Sequence, residues 1–151
     1  MEKFDVIVVG AGPAGATAGY LLAKAGLNVV IIERGQTPGS KNVSGGLIYT
    51  RPICDIYPEF WESAPVERAI TNHQIVMLGE QSSVAVDFRS QAAAQAPYNA
   101  FSVLRARFDR WMAQQAEAAG AALITGVTVA ALQVENGREG GSQAGPDEIS
   151  S

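Results

Sequence analysis

The sequence predicts an α/β domain built on a parallel β-sheet, and three observations carry that prediction. Residues 4–9 form a short apolar run rich in β-branched side chains, which glycines end at once. A helical pattern follows over residues 13–25, and a second apolar run follows over residues 28–32. Strand, helix and strand in this order form a βαβ unit, whose crossover is right-handed in nearly all proteins.

Each element of the unit has a local reason. A short β-branched run without alternation is typical of a parallel strand buried on both faces, which we predict for residues 4–9. Small and apolar residues then recur every three or four positions, as on one face of a helix. Pro13 suits the first helical turn, where its missing N–H costs nothing, and Gly26 suits the end. Glu33 closes the second strand.

The rest of the chain alternates between polar and apolar segments. We predict a glycine-rich loop over residues 35–49, whose length indicates a function. For residues 136–151 we predict a polar, disordered tail. We therefore expect one partial domain over residues 1–135. Between its loop and its end we predict a short helix at 53–57, strands at 73–78, 84–88 and 101–104, a helix at 105–119, and strands at 121–124 and 127–134.

Composition excludes several classes of function. The chain has 151 residues, 47% of them hydrophobic and 17% charged, as in a soluble globular protein. Its net charge of −4 argues against binding nucleic acid, which needs a basic surface. Cys54 is the only cysteine, which excludes a disulfide framework, a thiolate zinc site and an iron–sulfur cluster within the chain. Without a signal peptide or a membrane-spanning run, we expect a cytoplasmic protein.

The glycine spacing predicts a dinucleotide site. Gly10 would make the tight turn, Gly12 would let a pyrophosphate approach the backbone, and Gly15 would let the helix pack on the strand. Glu33 would accept hydrogen bonds from ribose hydroxyls and repel a 2′-phosphate. The competing interpretation is a turn that only packs a helix on a sheet, which leaves Glu33 without a role. The pattern alone does not separate FAD from NAD.

Two further motifs resemble known families. The glycines at 10, 12, 15, 19 and 26 match the extended pattern of the glutathione-reductase-type FAD-binding superfamily, and Arg105 with residues 108–111 and 118–121 resembles its arginine-led helix. In relatives that arginine lies near FAD. Residues 38–46 resemble the loop of FixC-type flavoproteins and electron transfer flavoprotein–quinone oxidoreductases, with geranylgeranyl reductase-like enzymes more distant. The likeness covers residues 4–135.

The resemblance implies a Rossmann-like FAD-binding domain in an FAD-dependent oxidoreductase. It also implies electron transfer from an electron transfer flavoprotein to quinone or a ferredoxin-like acceptor, with possible peripheral contact at the inner face of the membrane. The alternatives are a geranylgeranyl reductase-like or aromatic hydroxylase-like flavoenzyme, or a nucleotide-binding module without turnover. Electron transfer needs no acid–base or nucleophilic group, and we predict no catalytic side chain and no metal site.

The chain also departs from the family pattern. Family members run to several hundred residues and carry a second FAD motif on a further strand, which does not follow Val134 here. We therefore expect an N-terminal fragment, incomplete at its C-terminal edge and without a substrate domain. In that case the strand at residues 4–9 would lie at an exposed edge of the sheet, which proteins normally avoid.

The predicted cofactor-binding residues come from the glycine turn, the loop, the arginine-led helix and the last strand. Lys41 is either a solvated loop lysine or a cation near the pyrimidine edge of the flavin. Arg105 is either a cofactor contact or part of a surface salt bridge. His73 has no metal-ligand or nucleophile partner at a recognisable spacing, so we expect a structural role. The full set is Gly10, Gly12, Pro13, Ala14, Gly15, Glu33, Arg34, Lys41, Ser44, Gly45, Gly46, Arg105 and Val129.

Overall fold

The computed structural model describes residues 3–42, 45–135 and 138–146, and the chain divides into two compact units. The first unit comprises Met1–Ser44 and Arg105–Ser151, and the second comprises Gly45–Leu104. In chain order the elements are β1 (Val6–Val9), α1 (Pro13–Lys24), β2 (Val29–Glu33), β3 (Gly45–Tyr49), α2 (Thr50–Cys54), β4 (Val66–Ala69), β5 (Asn72–Leu78), β6 (Ser83–Arg89), β7 (Ala100–Leu104), α3 (Arg105–Ala118), β8 (Ala122–Thr125), β9 (Val127–Glu135) and β10 (Arg138–Pro146).

A three-stranded parallel sheet forms the centre of the first unit, in the order β1-β2-β8. Val29 and Ile31 of β2 are fully buried, and they belong to one core cluster with Ala113 and Ala116 of α3. Helices α1 and α3 also pack against each other. The predicted α/β class and βαβ unit are confirmed, and the bounds of β1, α1 and β2 lie within two residues of prediction.

Strand β1 lies at one edge of this sheet, as we expected. Its residues alternate between half-buried and exposed positions, and the exposed fractions of Ile7 and Val9 are 39% and 57%. The prediction that β1 is buried on both faces is therefore wrong for the described part of the chain. Val6 and Val8 pack against the core cluster, while no described element covers Ile7 and Val9 enough to bury them.

Helix α1 packs so close to the sheet that two of its positions leave almost no room for a side chain. A Cβ atom at Gly15 would overlap the backbone carbonyl oxygen of Gly10. A Cβ at Gly19 would lie 2.5 Å from Cδ1 of Ile31. The helix therefore needs glycine on the face that it turns toward the sheet, as the glycine pattern predicted for Gly15.

The second unit is mostly antiparallel. Its three-stranded sheet has the order β3-β7-β4, and β5 pairs with β6 in a separate hairpin. The sequence predicted loop up to residue 49 and no strand at Val66–Ala69; both predictions were wrong, because β3 and β4 pair with β7, far away in the chain. The short helix α2 begins three residues earlier than predicted.

The end of the described chain also differs from prediction. Arg138–Pro146 form β10, which pairs antiparallel with β9, where the sequence predicted a disordered tail. Backbone hydrogen bonds to β9 support this polar strand, and they do not require apolar side chains. The signal that could have found it is the Asn-Gly pair at positions 136 and 137, since this dipeptide is typical of a two-residue hairpin connection.

None of the helices in the part of the chain that the structure describes is long and apolar enough to span a membrane.

The packing of α1 gives a first testable prediction. Gly15→Ala should lower the free energy of unfolding by about 2–3 kcal/mol, because the new methyl group must push α1 away from the backbone of Gly10. Gly12→Ala is the matched control, since a Cβ there meets no atom within 4 Å, and it should cost less than about 1 kcal/mol. Urea unfolding of both variants measures the difference, and equal stability would contradict the close approach.

Candidate functional site

The candidate site lies at the carboxyl ends of β1 and β2, where the first strand turns into α1. Ligands of open α/β sheets bind at this edge. Gly10 has a φ of +95°, a left-handed backbone conformation that residues other than glycine rarely adopt. Its N–H donates a hydrogen bond of 2.7 Å to the carbonyl oxygen of Ile32, which fixes the turn against the end of β2.

The Glu33 carboxylate stands at the centre of the site and holds two backbone segments. Oε2 accepts a hydrogen bond of 2.8 Å from the N–H of Ala11, and Oε1 accepts one of 2.7 Å from the N–H of Gly35. Each carboxylate oxygen can accept a further bond, so these contacts leave capacity for a ligand hydroxyl. Glu33 therefore shapes the glycine turn and still offers negative charge to the cleft beside it.

The first turn of α1 faces this edge. Gly12 is the N-cap residue, and as a glycine it has no side chain to cap the helix. Pro13 stands at the first position of the helix. The N–H groups of Ala14 and Gly15 have no acceptor within the helix, because the first turn of any α-helix leaves such groups over. Together with the partial positive charge of the helix N-terminus, they suit a phosphate. Since a Cβ at Gly12 would meet no atom within 4 Å, the space beside the backbone there is open.

Two adjoining clefts share Glu33 and Arg34. The first, here called the polar cleft, carries three cationic side chains and two carboxylates; its residues are Gly12, Glu33, Arg34, Gly39, Lys41, Asn42, Arg105 and Asp109. The second, here called the apolar cleft, has mostly apolar walls; its residues are Val9, Gly10, Ile32, Glu33, Arg34, Val127, Thr128 and Val129. The pair suits a ligand with phosphates and hydroxyls at one end and a flat apolar group at the other.

A backbone contact brings the start of β9 to the apolar cleft. The N–H of Gly126 donates a hydrogen bond of 2.9 Å to the carbonyl oxygen of Gly35, just beyond the end of β2. This bond places Val127 and Val129 beside Ile32 and Val9.

Arg105 opens α3 and pairs with Asp109 one turn later. Its Nε and one terminal nitrogen donate bonds of 2.8 and 2.9 Å to the two carboxylate oxygens. This hydrogen bonding with Asp109 raises the pKa of Arg105 above its ordinary value. Arg105 thus forms a salt bridge, but its partner Asp109 is buried and does not lie at the surface; the same arginine lines the polar cleft. Its contact with a cofactor stays a prediction.

The structure brings most of the predicted site residues together. Gly10, Gly12, Glu33, Arg34, Lys41, Arg105 and Val129 line one or both clefts, and Pro13, Ala14 and Gly15 form the first turn of α1. Gly45 and Gly46 begin β3 in the second unit, and Ser44 lies outside the described residues. Their roles, and that of Lys41 toward the flavin, stay predictions.

Sequence reasoning missed three residues of the polar cleft, namely Gly39, Asn42 and Asp109. One signal could have found Asp109. It follows Phe108, which lies on the apolar stripe of α3, and it stands four residues after Arg105. A carboxylate buried beside that stripe needs a partner, and an arginine one helical turn away can supply one.

His73 and Cys54 lie in the second unit. His73 contacts the Asn99 amide at 3.1 Å and stacks on the Tyr49 ring, in keeping with a structural role. Partial burial is the main cause that raises the pKa of the Cys54 thiol, which disfavours its reactive thiolate form.

The sequence is similar to known flavoproteins over nearly its whole length. It is 47% identical over 146 residues to a protein of Escherichia coli K12 named "Probable electron transfer flavoprotein-quinone oxidoreductase YdiS", covering 97% of this chain and 34% of that protein. It is 43% identical to Protein FixC of Escherichia coli O157:H7, covering 98% of this chain and 35% of that one. The chain therefore spans about a third of the length of these relatives.

Two other comparisons agree. Residues 1–57 match the Thi4 family. The structure of a geranylgeranyl bacteriochlorophyll reductase-like protein from Thermoplasma acidophilum superposes with a TM-score of 0.73 at 27% identity, over 97% of this chain and 36% of that one. The predicted likeness to FixC-type flavoproteins and to electron transfer flavoprotein–quinone oxidoreductases is confirmed, as is the Rossmann-like fold shared with the reductase-like group.

The contacts of Glu33 give a second prediction. Glu33→Gln should lower the free energy of unfolding by about 1–3 kcal/mol even without ligand. The NH₂ group of the glutamine must face the N–H of either Ala11 or Gly35, so a donor would meet a donor and one hydrogen bond would be lost. Thermal unfolding without nucleotide measures it, and a melting temperature equal to that of the parent chain would contradict the bracing role.

Proposed function

We infer that this chain, a homologue of FixC-type flavoproteins and electron transfer flavoprotein–quinone oxidoreductases, binds FAD and forms the FAD-binding part of an oxidoreductase. The observation that carries the proposal is the geometry around Glu33. Its carboxylate stands beside the glycine turn, the open space at Gly12 and the N-terminus of α1, so hydroxyl and phosphate recognition meet at one place.

The residues of the two clefts fit the parts of this cofactor. Glu33 would accept hydrogen bonds from the hydroxyls of the adenosine ribose. Arg34, Lys41 and the first turn of α1 would offer positive charge to the diphosphate. The apolar cleft, with Val9 and Val129, would take the flat adenine ring. The isoalloxazine ring of bound FAD supplies the redox chemistry, while this chain holds the nucleotide end in place.

The names of the relatives support a more specific activity. We propose that the protein passes electrons from an electron transfer flavoprotein to quinone or to a ferredoxin-like acceptor. Quinone is lipid-soluble, so a protein that uses it must contact the membrane. We propose that this protein lies in the cytoplasm and makes that contact at the inner face. A second candidate is a geranylgeranyl reductase-like flavoenzyme, favoured by the structural match to the reductase-like protein of Thermoplasma acidophilum.

Nucleotide titration tests the binding proposal. The full chain should bind ADP and FAD at the same single site. Gly12→Val should weaken the affinity for both nucleotides by at least about tenfold, because its branched methyl groups would fill the space of the pyrophosphate. Adenosine 2′,5′-bisphosphate should bind more weakly than AMP, from which it differs only by the 2′-phosphate, because that phosphate meets the Glu33 carboxylate. Circular dichroism confirms that the variant is folded.

Two results would count against FAD binding at these clefts. A folded Gly12→Val variant with unchanged affinity would mean that the glycine turn binds something else. A parent chain that binds NAD but not FAD, and that purifies without flavin absorbance, would assign the site to a nicotinamide cofactor.

The choice of electron donor has its own test. The FAD-loaded protein is mixed anaerobically with reduced electron transfer flavoprotein or with NADPH, and the loss of oxidised flavin absorbance is followed. Reduction by the flavoprotein alone is the expected result. Reduction by NADPH alone would favour a geranylgeranyl reductase-like or an aromatic hydroxylase-like enzyme instead.

A further inference from the structure

The Asp109 side chain is fully buried, although it carries a charge. Burying a carboxylate is costly unless hydrogen bonds satisfy it. Asp109 meets that condition with three of them: two come from Arg105, at 2.8 and 2.9 Å, and one comes from Nδ2 of Asn42, at 2.6 Å. The third bond joins positions 67 residues apart in sequence, so the carboxylate ties the glycine-rich loop to α3.

The same loop touches α3 at a second point. Gly39 has a φ of +80°, and a Cβ built on it would lie 2.9 Å from the Cα of Ala106 and 3.0 Å from the carbonyl oxygen of Arg105. The loop backbone therefore lies directly against the first turn of α3. Thr37 adds a weaker contact, because its hydroxyl accepts a bond of 3.3 Å from Arg110.

These contacts determine where the cations of the polar cleft stand. Lys41 lies between the two fixed points, Gly39 and Asn42, so its backbone position follows from the attachment of the loop. Arg105 is held by both of its bonds to Asp109. One buried carboxylate thus fixes the side chain of Arg105 and the backbone at Lys41, two cationic residues that line the same cleft.

We propose that Asp109 is a positioning residue, which fastens residues 35–42 to α3 and holds Arg105 and Lys41 in the arrangement that receives the diphosphate of the nucleotide. The proposal rests on the proposed function, because it takes the polar cleft as the nucleotide site. A purely structural role is the competing explanation. Stability alone does not require this pair, since replacing both members of a buried ion pair by packed apolar groups is often neutral or stabilising.

Asp109→Asn in the full chain is the first test. The amide keeps the shape of the carboxylate but carries no charge, and its nitrogen must replace one accepting oxygen. At the Oδ1 position it loses the bond from Arg105 Nε, and at the Oδ2 position it loses the bonds from Asn42 and from the terminal nitrogen of Arg105. Affinity for ADP should fall by about tenfold, the effect of losing charge-assisted hydrogen bonds around the cations. In the nucleotide-free protein, hydrogen–deuterium exchange should rise in residues 35–42 and stay unchanged in β2. A structural role would raise exchange throughout the core.

Asn42→Ala is the second variant, and it keeps the test decisive if Asp109→Asn does not fold. It removes the loop end of the same bond, so it should raise exchange in residues 35–42 and weaken ADP binding in the same direction. The double variant should lose less affinity than the sum of the two single losses, because both changes act on the same hydrogen-bonded network. Asp87→Asn is the matched control: it breaks an Arg–carboxylate pair with Arg89 at 2.9 and 3.2 Å on an exposed strand, and it should change neither readout.

The outcomes separate the two proposals. If the parent chain binds no ADP, the proposed function fails, while loop exchange in the variants still tests the attachment. Unchanged exchange in residues 35–42 in folded Asp109→Asn or Asn42→Ala would overturn the positioning role. Raised exchange with unchanged ADP affinity would overturn it as well, since the attached loop would then not shape the binding site.

Discussion

The site depends first on the Glu33 carboxylate, which accepts hydrogen bonds from two backbone N–H groups. These bonds join the end of β2 to Ala11 in the glycine turn and to Gly35 at the start of the loop. The turn then leads into α1, and the loop leads to α3 through Asn42. Gly35 also accepts a bond from Gly126, which brings in the start of β9. One acidic side chain thus holds the glycine turn and the start of the loop, and the other segments of the two clefts are attached to that loop.

The close packing of α1 on the sheet is the second constraint, and it complements the first. Glycine at position 15 lets α1 start directly beside the turn, so its N-terminus faces the cleft that Glu33 shapes. Opposite charges are thereby set side by side: a carboxylate that suits hydroxyl groups, and a helix end that suits phosphate. A nucleotide carries both kinds of group a few bonds apart, which is why this arrangement recurs in proteins that bind dinucleotides.

The buried pair of Arg105 and Asp109 serves a different purpose from the apolar core. Val29, Ile31 and Ala116 hold the first unit together by apolar burial, which is not directional. Asp109 contributes direction, because a carboxylate fixes the donors around it in angle and distance. Its charge is compensated by Arg105 and by the Asn42 amide, so the fold can bury it and still use it to fix the loop.

The sequence by itself determined the parts of this protein whose cause is local. The strand, glycine turn, helix and second strand of the first unit follow from periodicity and glycine spacing within residues 4–33, and the structure has them where the pattern predicted them. Only the tertiary structure decided β3 and β4, because each of them is defined by its pairing with β7, which lies far away in the chain. The same holds for Asp109, whose role arises from an amide 67 positions away. Spacing within a segment encodes turns and helices, whereas a contact between distant segments exists only once the chain has folded.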